Sequence, residues 1–220
     1  MTADYLLNLL ENPMKHSKTT PPRLIAIAGA TGAGKTTVAK LLEACGFALV
    51  HVDDALCAEV AEAWRVDVRM LTDQRTHDWP VPALAIGRCA EPAFALWCAN
   101  AGEILPAPRS AAWVLEHWAA FRRRNAPAHF IEATAQAIAR AMQQRPVGVV
   151  LDGLASPAQA DMARALGAMV LRVRRPDLVS ASTAGQVQAQ RHDFAADGDL
   201  LNDGSVRALY EAAAEVVGGL

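Results

Sequence analysis

The run Gly29-Ala-Thr-Gly-Ala-Gly-Lys-Thr36 has the residue types and spacing to hold a polyanion. Its glycines let the backbone curl so that several N–H groups point inward at one charge. A helix beginning at Lys35 would bring its positive end to the same point. Lys35 supplies a cation on a long arm, and the Thr36 hydroxyl supplies an oxygen for a hard metal ion. Glycine, four residues, glycine, lysine, threonine is the P-loop pattern. It implies a nucleoside triphosphate held by Gly29, Ala30, Thr31, Gly32, Ala33, Gly34, Lys35, Thr36 and Thr37. Lys35 would reach the β- and γ-phosphates, and Thr36 would ligate Mg²⁺. The context agrees, because Leu24-Ile-Ala-Ile-Ala28 reads as a buried strand and Lys35 to Ala44 as a helix stopped by Gly46.

Chemistry beyond phosphate binding needs carboxylates and further cations. Asp152 follows the apolar run Val147-Gly-Val-Val-Leu151, a Walker B arrangement in which a carboxylate holds Mg²⁺ through water near Thr36. Asp53 and Asp54 follow a second strand, Phe47 to Val52, at the edge where α/β sheets bind ligands. Asp53 is the substrate-binding candidate, while Asp54 equally suits the cap of the next helix. Arg172, Arg174 and Arg175 leave a fourth strand, Met169 to Arg174, and Arg191 lies in the polar stretch Asp177 to Asp197. Such arginines suit a lid, about 175–198, that closes on the triphosphate, with Arg174 and Arg191 as catalytic candidates beside Lys35. The bland alternative is a solvated loop. Arg122-Arg-Arg124, near His117, Trp118 and Phe121, offers a second phosphate site, with Arg122 and Arg123 as substrate-binding candidates. On a helix, three consecutive arginines fan over roughly 200°, so at most two face one pocket. An exposed basic helix is the competing reading there, and Trp113 and Trp118 read as core.

Strands alternating with helices, mostly as continuous apolar runs, imply a parallel sheet covered on both faces. The expected fold class is α/β: a three-layer P-loop NTPase core with about five parallel strands. A long helical insertion, about 55–145, separates strands two and three and is broken by Pro80, Pro82, Pro92, Pro106, Pro108 and Pro127. Near the C-terminal end, Ala158 to Leu166 reads as a helix, Leu200 to Gly204 as a short strand and turn, and Val206 to Val217 as a helix. Met1 to Pro22 reads as a prefix and linker ahead of a domain spanning 23–220.

Composition bounds the function. With 220 residues, 52% of them hydrophobic, the chain has enough apolar surface for one domain with a proper core, which argues against disorder. No apolar run approaches the roughly 18 residues of a membrane span, and residues 1–11 lack the pattern of a secretion signal. A soluble, cytoplasmic protein is therefore expected, without a membrane partner. A net charge of −2 is not the footprint of a nucleic-acid binder. Cys45, Cys57, Cys89 and Cys98 form no CxxC and read as reduced, buried small hydrophobes. Of 21 cationic residues only Lys15, Lys18, Lys35 and Lys40 are lysines. That bias reads first as base composition, and second as forked guanidiniums suited to phosphate.

The chain carries no Asn-Lys-x-Asp guanine motif and no Leu-Ser-Gly-Gly-Gln transporter signature, so a small-molecule phosphoryl transferase fits better. Beyond the P-loop, Leu71-Thr-Asp-Gln-Arg-Thr-His-Asp-Trp-Pro80, Ala83-Leu-Ala-Ile-Gly-Arg-Cys89, Pro108-Arg-Ser-Ala-Ala-Trp-Val-Leu-Glu-His-Trp118, Ala163-Arg-Ala-Leu-Gly-Ala-Met-Val-Leu-Arg-Val-Arg-Arg-Pro176 and Asn202-Asp-Gly-Ser205 occur in a telling order. In that order the chain resembles the phage-type deoxynucleoside monophosphate kinases from Leu24 onward. The resemblance implies transfer of the γ-phosphoryl group of ATP, with Mg²⁺, to a deoxynucleoside monophosphate. It also implies that Asn202 and Asp203 approach the adenine, and that the helical insertion forms the acceptor pocket. The expected partner is that small-molecule nucleotide, with a homodimer left open. Two departures stand out: Leu154 and Ser156 occupy positions where this family and the adenylate kinases, respectively, carry an arginine. Two other readings stay open, a dephospho-coenzyme A kinase-like enzyme and a non-catalytic ATP-binding protein with a decayed acceptor site.

Overall fold

Five short apolar segments pair edge to edge in the computed structural model, which describes residues 24–144, 146–176 and 194–218. They are β1 (Leu24–Ala28), β2 (Ala48–His51), β3 (Val149–Leu154), β4 (Met169–Arg174) and β5 (Gly198–Leu201). Every pairing is parallel, in the order β2-β3-β1-β4-β5. All five residues of β1 are buried, as a central strand covered on both faces demands. The outer strands β2 and β5 expose Leu49 and Leu201.

Eight α-helices accompany the strands among the described residues. In chain order they are α1 (Lys35–Ala44), α2 (Asp54–Trp64), α3 (Val68–Thr72) and α4 (Pro92–Asn100). Then come α5 (Ala111–Asn125), α6 (His129–Gln143), α7 (Pro157–Ala165) and α8 (Val206–Gly218). None is long and apolar enough to cross a membrane. Val38, Leu41 and Leu42 of α1 and Leu209 and Ala213 of α8 pack with Ile25, Ile27, Val150 and Leu171 on one face of the sheet. Ile138 of α6 and Ala160 and Ala163 of α7 pack with Ala26, Leu151 and Val170 on the other. The fold is thus a three-layer α/β sandwich with a five-stranded, all-parallel sheet.

Direction and face are linked. The chain leaves β1 toward β2 through α1 on one face, and later crosses back over β1 from β3 to β4 through α7 on the opposite face. A single hand of crossover requires that swap when the direction reverses. Neighbouring strands β1 and β4 therefore lead away in opposite directions, and such a switch point opens a ligand crevice at the carboxyl ends.

The chain divides into two units, one of 1–52 with 134–220 and the other Asp53–Ala133. The sheet belongs to the first, including α6 from Thr134 onward. The second has its own core of Trp64, Phe94 and Trp118, with ring centroids 5.2–5.6 Å apart. All five tryptophans fall in this second unit.

Some boundaries differ from those expected. Asp152 does not end β3, which continues to Leu154. The extra length is a bulge: Ile27 pairs with Asp152 but Ala28 pairs with Leu154, skipping Gly153 at φ +94°. β5 begins at Gly198 and stops at Leu201, so the Asn202 segment follows the strand instead of lying in it. Pro92 and Pro157 begin helices at positions where a missing N–H costs nothing. The prefix 1–22, the lid segment 177–193 and Arg191 within it lie outside the described residues.

Candidate functional site

The loop after β1 is shaped by close approach as much as by glycine freedom. A Cβ on Gly29, at φ +140°, would lie 2.3 Å from the Val173 carbonyl oxygen at the end of β4. One on Gly34, at φ +106°, would lie 2.7 Å from Nδ2 of Asn202. At Gly29 fixed backbone leaves no room for a side chain, and at Gly34 one would be strained and would displace Asn202, so the loop runs tight against the β4–β5 edge before entering α1. Thr31 and Gly32 at its crest are exposed, Ala33 is buried, and Thr37 is half-buried in the first turn of α1.

Lys35 folds back over this loop, its ammonium donating to the carbonyls of Gly29 (2.8 Å) and Ala30 (3.0 Å). Burial pushes its pKa below the ordinary lysine value, partly offset by the negative charge of Asp152. The Thr36 hydroxyl donates to Oδ2 of Asp152 across 3.3 Å. Asp152 is 2% exposed, and its buried Oδ1 has no hydrogen-bond partner among the described residues. A buried carboxylate oxygen left unsatisfied is costly, and a cation would satisfy it. No cluster of three or more His, Cys, Asp or Glu among the described residues forms a metal cage. One hydroxyl and one carboxylate suit Mg²⁺, which keeps most of its shell as water and phosphate oxygens.

The residues beyond β5 close on the same loop. Asn202 donates its side-chain amide to the Ala33 carbonyl at 2.8 Å and its backbone N–H to the Arg174 carbonyl at 2.7 Å. Asp203 is exposed. The Arg174 guanidinium pairs with Asp199 at 2.9 Å, both side chains about half exposed. Arg172 donates to the Phe194 carbonyl and lies 5.7 Å from that ring, tying residue 194 to β4. The strand-end arginines thus hold neighbouring backbone and carboxylates in this structure.

In the second unit, Asp53 precedes α2 with an exposed side chain that makes no capping bond, and Asp54 is the first residue of that helix. Arg122 donates to Glu59 at 2.9 Å and lies 4.9 Å over Trp118. Glu59 also accepts from Trp118 at 3.0 Å and is bonded by His129. Arg123 and Arg124 are exposed. Trp118, 2% exposed, is core as expected, whereas Trp113 is half-buried between Arg109 (4.4 Å) and the stacked His117 ring (3.8 Å). The cysteines are all free thiols; burial pushes Cys57 and Cys98 up to about 11, with help from Asp53 and Asp54 at Cys57 and from Glu103 at Cys98. Both therefore behave as inert small hydrophobes at neutral pH.

No protein-family model matches the chain, and no curated protein matches it. Solved structures do. TT1252 from Thermus thermophilus is 20% identical, aligned over 91% of this chain and 98% of its own, with a TM-score of 0.48. A dephospho-CoA kinase from Campylobacter jejuni is 10% identical over 90% and 96%, with a TM-score of 0.46. The fold stated above stands on this chain's own strand order and helix placement.

Several residues that shape the site escape sequence reasoning. Gly153 matters through its bulge, and a Cβ there would lie 2.9 Å from Cε1 of His51, the register partner of Asp152. Leu154, where a clamp arginine was expected, is fully buried in the core under α7. Ser156 caps α7, accepting from the Gln159 N–H at 3.3 Å while Gln159 accepts from its N–H at 3.1 Å. The Ser-x-x-Gln spacing was the available signal for that cap.

Proposed function

We propose that the chain is an ATP-dependent nucleotide kinase acting on a nucleoside monophosphate, foremost a deoxynucleoside monophosphate. The observation that carries this reading is the Thr36–Asp152 pair beside Lys35, with a buried carboxylate oxygen left over at the mouth of a glycine loop. The loop N–H groups and the start of α1 bind the polyphosphate, and Lys35 neutralises its terminal oxygens. Mg²⁺, held by Thr36 directly and Asp152 through water, would offset the charge that spreads over the transferring group. An acceptor phosphate oxygen forms the new bond to the γ-phosphorus as the bond to the ADP oxygen breaks. Support for the acceptor class is the order of segments downstream of the P-loop. Of the paired candidates in the second unit, Arg123 is the one whose guanidinium Glu59 does not hold, and we assign it, with Asp53, to the acceptor.

The test is ADP release from ATP with each deoxynucleoside monophosphate and with dephospho-coenzyme A as acceptors. Turnover with a monophosphate is expected, abolished by Lys35→Ala and lowered about 100-fold or more by Asp152→Asn. Turnover with dephospho-coenzyme A alone would replace the acceptor. ATP binding with no turnover for any acceptor would leave a nucleotide-binding protein in place of an enzyme.

A further inference from the structure

The glycine loop is not self-supporting, since its second half leans on a residue 169 positions away. Asn202 is fixed first by its own backbone, whose N–H reaches the Arg174 carbonyl at the end of β4. From there its amide nitrogen meets the Ala33 carbonyl at 2.8 Å, and the same nitrogen lies 2.7 Å from where a Gly34 Cβ would be. The contact thus falls on the two residues immediately before Lys35. Ala33 is buried, so its carbonyl has little water to turn to if that donor is lost. One N–H of the carboxamide is committed to the loop.

From this geometry we infer that Asn202 is a positioning residue for the polyphosphate site, holding the Ala33–Gly34 peptide so that the loop N–H groups face the anion. The inference deepens the proposed ATP-binding role and rests on it. It differs from an adenine contact in a measurable way, because a loop-holding residue affects any polyphosphate, with or without a base. Preorganised donors bind more tightly because less ordering remains to be done on binding.

Isothermal titration calorimetry with ATP and with inorganic tripolyphosphate separates the two roles. Asn202→Ala removes the donor, and Asn202→Asp keeps the shape but presents a second acceptor to the Ala33 carbonyl. The expected result is a loss of about tenfold in affinity for ATP and a similar factor for tripolyphosphate, with the stoichiometry still one site. Asn202→Asp should lose at least as much, and either variant that folds suffices. A loss for ATP with tripolyphosphate unchanged would make Asn202 an adenine contact and overturn the inference. Unchanged affinity for both would overturn it as well. Wild-type protein binding neither ligand would instead remove the ATP-binding role, a different failure from the other two.

Discussion

Glu59→Gln keeps the shape of a half-buried acceptor and removes its charge. In the wild type, Oε2 accepts from Trp118 and Arg122 and Oε1 is bonded by His129. A glutamine oxygen can still serve Trp118 and Arg122, but its NH₂ group then faces His129. Replacing the carboxylate of a charge-assisted hydrogen bond with a neutral amide costs about 1–1.5 kcal/mol, so the Arg122 and His129 bonds together set a ceiling of about 2–3 kcal/mol. The side chains are 24% exposed at Glu59, 36% at Arg122 and 33% at His129. Solvent screening at that exposure brings the expected loss to about 1–1.5 kcal/mol. Urea unfolding followed by tryptophan fluorescence measures it, because all five tryptophans report on this unit. The pH dependence is a second check. Burial pushes the Glu59 carboxyl up, but hydrogen bonds from His129 and Trp118 and the charges of Arg122 and His129 outweigh it and hold the pKa below the ordinary value. A folded-state pKa below the unfolded one gives stability that is present above about pH 4.3 and lost as pH falls through the folded value. The gap between wild type and Glu59→Gln should therefore shrink on acidification. A gap under about 0.3 kcal/mol at pH 7, or one unchanged on acidification, would refute the network as drawn.

Two further substitutions probe the frame around Asp152. Gly153→Ala places a side chain at φ +94° and 2.9 Å from His51, for an expected loss of about 1–3 kcal/mol by far-UV circular dichroism melts. Adding His51→Ala should return only the steric part, and wild-type stability in the single variant would sink the bulge argument. Ser156→Ala removes the cap of α7 and should cost about 1 kcal/mol while leaving ATP affinity unchanged. A tenfold loss of nucleotide affinity there would mean that Ser156 acts in the site.

The elements legible in the sequence were those whose signals are local. Leu24 to Ala28, the glycine motif and Lys35 to Ala44 sit within one short window, and the structure places them as expected. Asp152 was legible as a carboxylate after an apolar run, yet the bulge at Gly153 was not, because it exists only in register with β1. Arginine assignments suffered most from non-local partners. Arg174 finds Asp199 and Arg122 finds Glu59, separations of 25 and 63 residues that no spacing rule reaches. Leu154 looked like a missing arginine because a motif records which residue is absent, not that its position faces a packed core.

The ammonium of Lys35 already has acceptors in the structure, the carbonyls of Gly29 and Ala30. On the proposed ATP-binding role, capture of a phosphate would be an exchange in which two internal contacts are traded for external ones, so measured affinity would report a difference. Truncating this side chain would remove the proposed phosphate contact and also untie the loop, and alanine data alone would credit the cation with both effects. Hydrogen exchange of the Gly32–Thr36 amides in ligand-free wild type and in Lys35→Met, which keeps the bulk of the arm but lacks the donor, measures the loosening of the loop separately from the loss of affinity.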